Sequence, residues 1–229
     1  MSEKRKIVFL SGAGVSAESG LKTFRDENGL WEGHDVMEVA TPEAWRKNPE
    51  LVLEFYNQRR RQLKDVEPNI AHKIIAELET SFEVHVITQN VDDLHERAGS
   101  TNVLHLHGKL FKVRPEDDLD GVIEWYDDLN LGHTTKDGVQ LRPHVVWFGE
   151  GVPNMAQAID IVANADIVVV IGTSLQVYPA AGLMNYAKAD SPIYLIDPKP
   201  GLSESGNLYI FAEPATIGMQ KLKSVLLEN

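Results

Sequence analysis

The sequence predicts an α/β fold built on a doubly wound, mainly parallel sheet, and three observations carry that prediction. Short aliphatic runs, several rich in β-branched residues, recur along the chain at strand length. Stretches with helix-capping residues at their starts separate them. The first run breaks directly into a glycine-rich turn, as strands do in Rossmann-like folds.

Taken in order, Ile7-Val8-Phe9-Leu10 reads as the first strand, ended by Ser11-Gly12-Ala13-Gly14-Val15-Ser16-Ala17-Glu18-Ser19-Gly20. Asn48-Pro49-Glu50 supplies an N-cap and an N1 proline, predicting a helix to about Lys64. Asn69 predicts a cap for a helix to about Thr80, and Asp92 one for a short helix stopped by Gly99. Val84-His85-Val86-Ile87-Thr88, Val103-Leu104-His105-Leu106, Ile167-Val168-Val169-Val170-Ile171 and Ile193-Tyr194-Leu195-Ile196 read as buried strands. Asn154 predicts the cap of a helix reaching about Ala163, and a last helix runs from about Glu213 to Leu227. Between Lys109 and Leu141 the chain turns polar, with acidic pairs and only Val122-Ile123 and Trp125-Tyr126 as apolar clusters. That stretch reads as a small inserted module or lid.

Bulk composition narrows the function classes. The chain has 229 residues, 43% hydrophobic and 24% charged, as expected of a globular protein with its own core. No apolar stretch approaches the ~18 residues of a membrane span. The four-residue apolar run behind Lys4-Arg5-Lys6 is too short for a signal peptide. The absence of cysteine excludes disulfides, a thiol nucleophile and Cys-ligated zinc, and it suits a cytoplasmic location. A net charge of −12 argues against broad nucleic-acid or anionic-membrane binding. The oligomeric state stays open.

Six segments carry chemistry. In G-x-G-x-x-A, Gly12 permits a tight turn, Gly14 a close backbone approach and Ala17 close helix packing, a cradle for a pyrophosphate at free helix N–H groups. The acidic residue usual ~20 positions later in dehydrogenases is missing. Thr88-Gln89-Asn90-Val91-Asp92 follows a strand, where a carboxamide and a carboxylate read either as ligand contacts or as turn and cap. His105 and His107, at i and i+2, read as a general base, as metal ligands with His144 or a carboxylate, or as ordinary polar residues. Gly172-Thr173-Ser174 and Ile196-Asp197-Pro198 sit at further strand ends. Val146-Trp147-Phe148-Gly149-Glu150 reads either as an edge for an extended peptide or as core.

In order and spacing these motifs resemble the sirtuins, NAD-dependent protein-lysine deacylases, over nearly the whole chain. The resemblance implies a single catalytic domain over residues 1–229, with 109–141 inserted in it. It implies that Gly12, Ala13, Gly14, Ser16, Ala17 and Glu18 line the site of the NAD pyrophosphate, with Phe24 and Arg25 over the nicotinamide ribose. Gln89, Asn90 and Asp92 would contact the ribose and carboxamide, and Gly172, Thr173 and Ser174 the adenosine half, with Asp197 facing the adenosine ribose. His107 would be the catalytic base and His105 its neighbour. Val146, Trp147, Phe148, Gly149 and Glu150, with Val177 and Tyr178, would hold an acyl-lysine peptide as a β-strand. NAD would be consumed, giving lysine, nicotinamide and O-acyl-ADP-ribose.

Ala17-Glu18-Ser19-Gly20 and Phe55-Tyr56-Asn57-Gln58-Arg59-Arg60-Arg61 resemble the bacterial and mitochondrial branch (class III) that removes acidic acyl groups. Tyr56 and Arg59, on one helix face, would hold a succinyl or malonyl carboxylate. The chain departs from most sirtuins in lacking the four zinc cysteines, so no zinc is expected and Trp125 and Tyr126 should pack the module instead. An NAD glycohydrolase or ADP-ribosyltransferase on the same fold, a His105/His107 metal hydrolase and a silent NAD-binding module are the competing expectations.

Overall fold

The computed structural model describes residues 4–22, 30–31, 34–173, 175 and 177–228. The chain runs β1 (Lys6–Ser11), α1 (Gly14–Ala17), β2 (Leu30–Trp31), β3 (His34–Asp35), α2 (Val36–Val39), α3 (Pro42–Lys47), α4 (Pro49–Asp65), α5 (Ile70–Glu77), β4 (Glu83–Thr88), α6 (Leu94–Arg97) and β5 (Val103–His105). It continues through β6 (Gly108–Pro115), β7 (Ile123–Glu124), β8 (Leu141–Val145), α7 (Met155–Ala163), β9 (Ile167–Ile171), β10 (Ile193–Ile196), β11 (Leu208–Phe211) and α8 (Ala215–Glu228). Short 3-10 turns occupy Leu78–Thr80 and Ala180–Tyr186.

The main sheet has the order β11-β10-β9-β1-β4-β5, and every pairing in it is parallel. Alternation along each strand divides its side chains between two cores. Ile7, Phe9, Val84, Val86, Val169 and Ile171 face α5 and α8 with Ile75, Met219 and Leu222. Val8, Leu10, Ile87, Val168 and Val170 face the other side, with Ala158, Val162 and Leu183. Both faces are therefore covered, which is why the strands read as continuous apolar runs. Burying each of the larger aliphatic and aromatic side chains here contributes about 1.5–3 kcal/mol.

Strand order reverses between β1 and β9, and open α/β sheets bind ligands outside the carboxyl ends of their strands at such a point. The two chains nearly touch there. Gly12 N–H donates to the Ile171 carbonyl at 3.1 Å and Gly14 N–H to the Gly172 carbonyl at 2.8 Å. Gly172 has φ +62°, and a Cβ on it would stand 2.1 Å from the Val15 nitrogen. Only glycine fits such an approach.

A second layer gathers around a three-stranded antiparallel sheet of order β7-β6-β8. Its core joins Leu110, Val113, Leu129, Leu141 and Val145 to Val52, Leu53, Phe55, Tyr56 and Leu63 of α4 and to Trp45 of α3. Trp125 packs against this core as expected, but Val122, Ile123 and Tyr126 are exposed. The apolar work of the module falls instead to β6, β8 and Leu129. Polar staples reinforce it. The Asn57 side chain exchanges two hydrogen bonds with the Leu129 backbone, at 2.8 and 3.0 Å, and the fully buried Arg60 donates to Asn57 Oδ1 and to the Leu110 carbonyl.

Candidate active site

A cleft of about 860 Å3 opens between the carboxyl edge of the main sheet and the second layer. Gly12, Ala13, Gly14, Ser16, Ala17, Glu18, Gln89, Asn90, Asp92, Gly172, Thr173 and Asp197 all line it, as do His107, Tyr56, Arg59, Val146 to Glu150, Val177 and Tyr178. Phe24, Arg25 and Ser174 lie outside the described residues. Sequence reasoning did not find Lys22, Ala40, Gln62, Leu110 and Lys199, which also line the cleft. Lys22 and Lys199 carried a legible signal, each following a flagged turn; the others reach the cleft only through tertiary packing.

The glycine turn differs in detail from the expected cradle of free amides. Gly12, Gly14, Val15 and Ser16 N–H groups are all taken, by Ile171, Gly172, Gly12 and Ala13 carbonyls. The Ala13 N–H alone among these five has no partner among the described residues. The reason is that α1 is one turn long and its start is stitched to β9. Glu18 lines the rim with its carboxylate engaged elsewhere: Thr216 donates to it from both Oγ1 and N–H, at 2.7 and 3.0 Å, so it caps the start of α8.

The loop after β4 forms the cleft floor. Ser16 Oγ donates to Asp92 Oδ2 at 3.0 Å and accepts from Asn90 Nδ2 at 3.2 Å. Asp92 also accepts from Leu94 N–H, so it both lines the cleft and helps start α6, whose N-cap position is Asp93. Burial pushes its carboxyl up to about 6. Beneath lie His72 and His95, ring centroids 4.9 Å apart and held below the ordinary imidazole range by burial. Gln89 reaches the Thr173 hydroxyl at 3.4 Å, linking the two sides of the crevice.

The two histidines of the His-x-His segment do not share a site. The strand ends at His105, which is buried with Nδ1 on the Asn90 carbonyl at 2.9 Å and Nε2 on Glu96 at 2.8 Å. His107 faces the cleft. Its Nδ1 lies 3.1 Å from the Gln89 carbonyl, which can only accept, so Nδ1 carries the proton and Nε2 keeps a lone pair. Burial holds its pKa below the usual imidazole value, favouring that neutral form. Among the described residues no three His, Asp or Glu side chains gather as metal ligands.

Residues 146–150 all line the cleft. The amides at Val146, Trp147, Phe148 and Glu150 are taken by His107, Glu150 Oε2, Ala40 and Trp147, leaving Gly149 N–H without a partner among the described residues. The Trp147 indole turns inward at 2% exposure, whereas Tyr178 is 76% exposed. Arg59 Nη1 donates to the Phe55 carbonyl at 2.8 Å and its guanidinium lies 3.9 Å over the Phe55 ring. Asp197, nearly buried, accepts from Lys199 N–H at 2.9 Å and so shapes the turn after β10.

A dinucleotide fits this arrangement: the glycine turn and Gly172 leave no side chain over the crevice, and polar groups of Gln89, Asn90 and Asp92 converge on its floor. The Sir2 family model matches residues 12–179. An NAD-dependent protein deacylase of Helicobacter pylori is 58% identical over 225 residues, covering 98% of each chain. The structure of a Sir2 homolog–NAD complex superposes with TM-score 0.86 at 40% identity, over 99% of this chain and 91% of that one. A Sir2–p53 peptide–NAD+ complex gives TM-score 0.81 at 25% identity, over 99% and 95%. With its glycine turn, its Gln89-to-Asp92 loop and His107 assembled in one cleft, the chain belongs to the Sir2 family.

Proposed function

We infer that the chain is an NAD-dependent protein-lysine deacylase and that its preferred acyl groups are acidic. The observation that carries the activity is the joining, in one cleft, of a dinucleotide crevice and a neutral His107 with its Nε2 lone pair free. NAD supplies an ADP-ribosyl acceptor for the acyl group, with nicotinamide as leaving group. The glycine turn, Ser16, Asn90, Asp92, Gln89, Gly172 and Thr173 would hold it. His107 takes the proton from a ribose hydroxyl at Nε2, and the Gln89 carbonyl steadies the resulting imidazolium at Nδ1–H. Segment 146–150 and Tyr178 flank the acyl-lysine peptide of a protein substrate.

The acyl preference rests on Tyr56 and Arg59, which line the same cleft. A phenol donor and a guanidinium on one helix face suit a succinyl or malonyl carboxylate. This reading places the chain in the class III, desuccinylase-like branch. Matched succinyl-, malonyl- and acetyl-lysine peptides test it: acidic acyl groups should turn over faster, and acetyl preference would refute it.

Residues 109–141 act as a small module folded without zinc, inserted in one catalytic domain. Net charge −12 supports protein partners over nucleic acid or anionic membrane, and a chain free of cysteine supports a cytoplasmic setting. Among the described residues no helix is long and apolar enough to cross a membrane.

A further inference from the structure

The acyl end of the cleft contains a hydrogen bond whose polarity is fixed by chemistry. Trp147 Nε1 lies 3.0 Å from the Tyr56 hydroxyl oxygen. An indole N–H can only donate, so the phenol oxygen is the acceptor. The phenol's own proton is left over, and among the described residues no acceptor takes it. Tyr56 is fully buried, and with Arg59 it lines the cleft.

Trp147 is itself held from several sides. Its backbone N–H donates to Glu150 Oε2 at 2.8 Å. The Arg142 guanidinium lies 3.3 Å over its ring, and both oxygens of Glu150 grip that guanidinium at 2.7 and 3.1 Å. Trp45 closes a further side, ring centroids 5.7 Å apart. An indole so enclosed keeps one orientation, and its N–H keeps one direction.

We propose that Trp147 is a positioning residue for acyl specificity: its indole N–H fixes the Tyr56 hydroxyl so that the remaining phenol proton is presented to the carboxylate of an acidic acyl chain. A hydroxyl rotor that accepts from a fixed donor has fewer directions left for its proton, so less freedom is lost when the carboxylate binds. Burial keeps the phenol protonated, hence a donor. An acetyl group brings no carboxylate and gains nothing from the arrangement. The inference rests on the acidic-acyl reading of Tyr56 and Arg59 above.

The test compares Trp147→Phe, Tyr56→Phe and the double variant, with Arg59→Met as reference, on matched succinyl- and acetyl-lysine peptides. Trp147→Phe should lower the succinyl-to-acetyl ratio of kcat/KM about tenfold, chiefly through the succinyl KM. The double variant should be no more impaired in that ratio than Tyr56→Phe alone, because the indole acts through the phenol. Equal losses on both peptides, or additive losses in the double variant, overturn the proposal. If phenylalanine leaves too large a hole for stable folding, β-(3-benzothienyl)alanine at position 147 keeps the ring shape and removes only the N–H, and the same outcomes decide. Arg59→Met separates the two ideas. An unchanged ratio there means that the acidic-acyl reading fails; a lowered ratio there with none in the Trp147 variants means that only the positioning role fails.

Discussion

Ser16 Oγ donates to Asp92 Oδ2 at 3.0 Å across the cleft floor, tying the glycine turn after β1 to the loop after β4. Such a carboxylate is costly: Asp92 is only 8% exposed, and burial outweighs the donors from Ser16 and Leu94, so that its pKa rises to about 6. At neutral pH it is nevertheless mostly ionised, which favours a functional role over a stabilising one.

The sign of the linkage follows. In the unfolded chain Asp92 titrates near 3.8, so between there and about 6 the folded state binds the proton more tightly. Its contribution therefore opposes folding above about pH 6 and is relieved as pH falls toward 4. Asp92→Asn should raise stability at neutral pH by about 1–3 kcal/mol while lowering kcat/KM at least ~10-fold. Calorimetry at about pH 5 and 7.5 checks this: the gain should shrink at the lower pH, and a variant less stable than the parent at 7.5 contradicts it.

His107→Asn should cost about a hundredfold or more in product formation, the usual contribution of a positioned base. Because burial lowers the His107 pKa, the acid limb of kcat/KM should fall below the ordinary imidazole value of 6.5. A pH–rate profile reads this directly. An acid limb above that value would assign it to another group.

Arg59 stacks on Phe55 and donates to its carbonyl, which holds the guanidinium at the cleft wall. Arg59→Met should reduce the desuccinylation-to-deacetylation ratio by about 2–5 kcal/mol in transition-state terms, the cost of losing a desolvated charge-assisted pair. Arg59→Lys keeps charge without the planar fork and should recover only part. Steady-state rates on paired peptides measure both.

The module between β6 and β8 hangs on Asn57. Replacing it with alanine strands the Leu129 N–H and carbonyl and an Arg60 donor in a buried layer, lowering stability by about 2–4 kcal/mol. Chelation should leave the melting temperature unchanged. A fall in Tm on EDTA treatment, restored by zinc, would contradict the metal-free account of the module.

The main sheet was legible because buried parallel strands are continuous apolar runs, visible without their partners. Helix starts at Asn48 and Asn69 were legible too, since each side chain caps its own helix as local chemistry dictates. Asn154 shows where local rules lose: it occupies the N-cap position of α7, yet its side chain donates to the His105 carbonyl at 2.8 Å. The β6–β8 pairing joins Arg114 to Arg142, and nothing local marks that register. α3 carries a Thr41-Pro42 start like that of α4, but at six residues it is too short to show a period. β11, as long as β10, went unread because it is an edge strand whose residues are only partly buried. In the site, the glycine turn and the Gln89-to-Asp92 loop stand out as motifs. Ala40 and Leu110 reach the cleft only once α2 and β6 have packed, and Glu18 meets Thr216 from 198 residues away.

Nicotinamide release from NAD, measured with a succinyl-lysine peptide, with a matched acetyl-lysine peptide and with no peptide, tests the central claim most directly. Release that requires an acyl-lysine peptide, yields O-acyl-ADP-ribose and runs faster with succinyl-lysine is the predicted result. Equal release without peptide would contradict deacylation and make the cleft that of an NAD glycohydrolase.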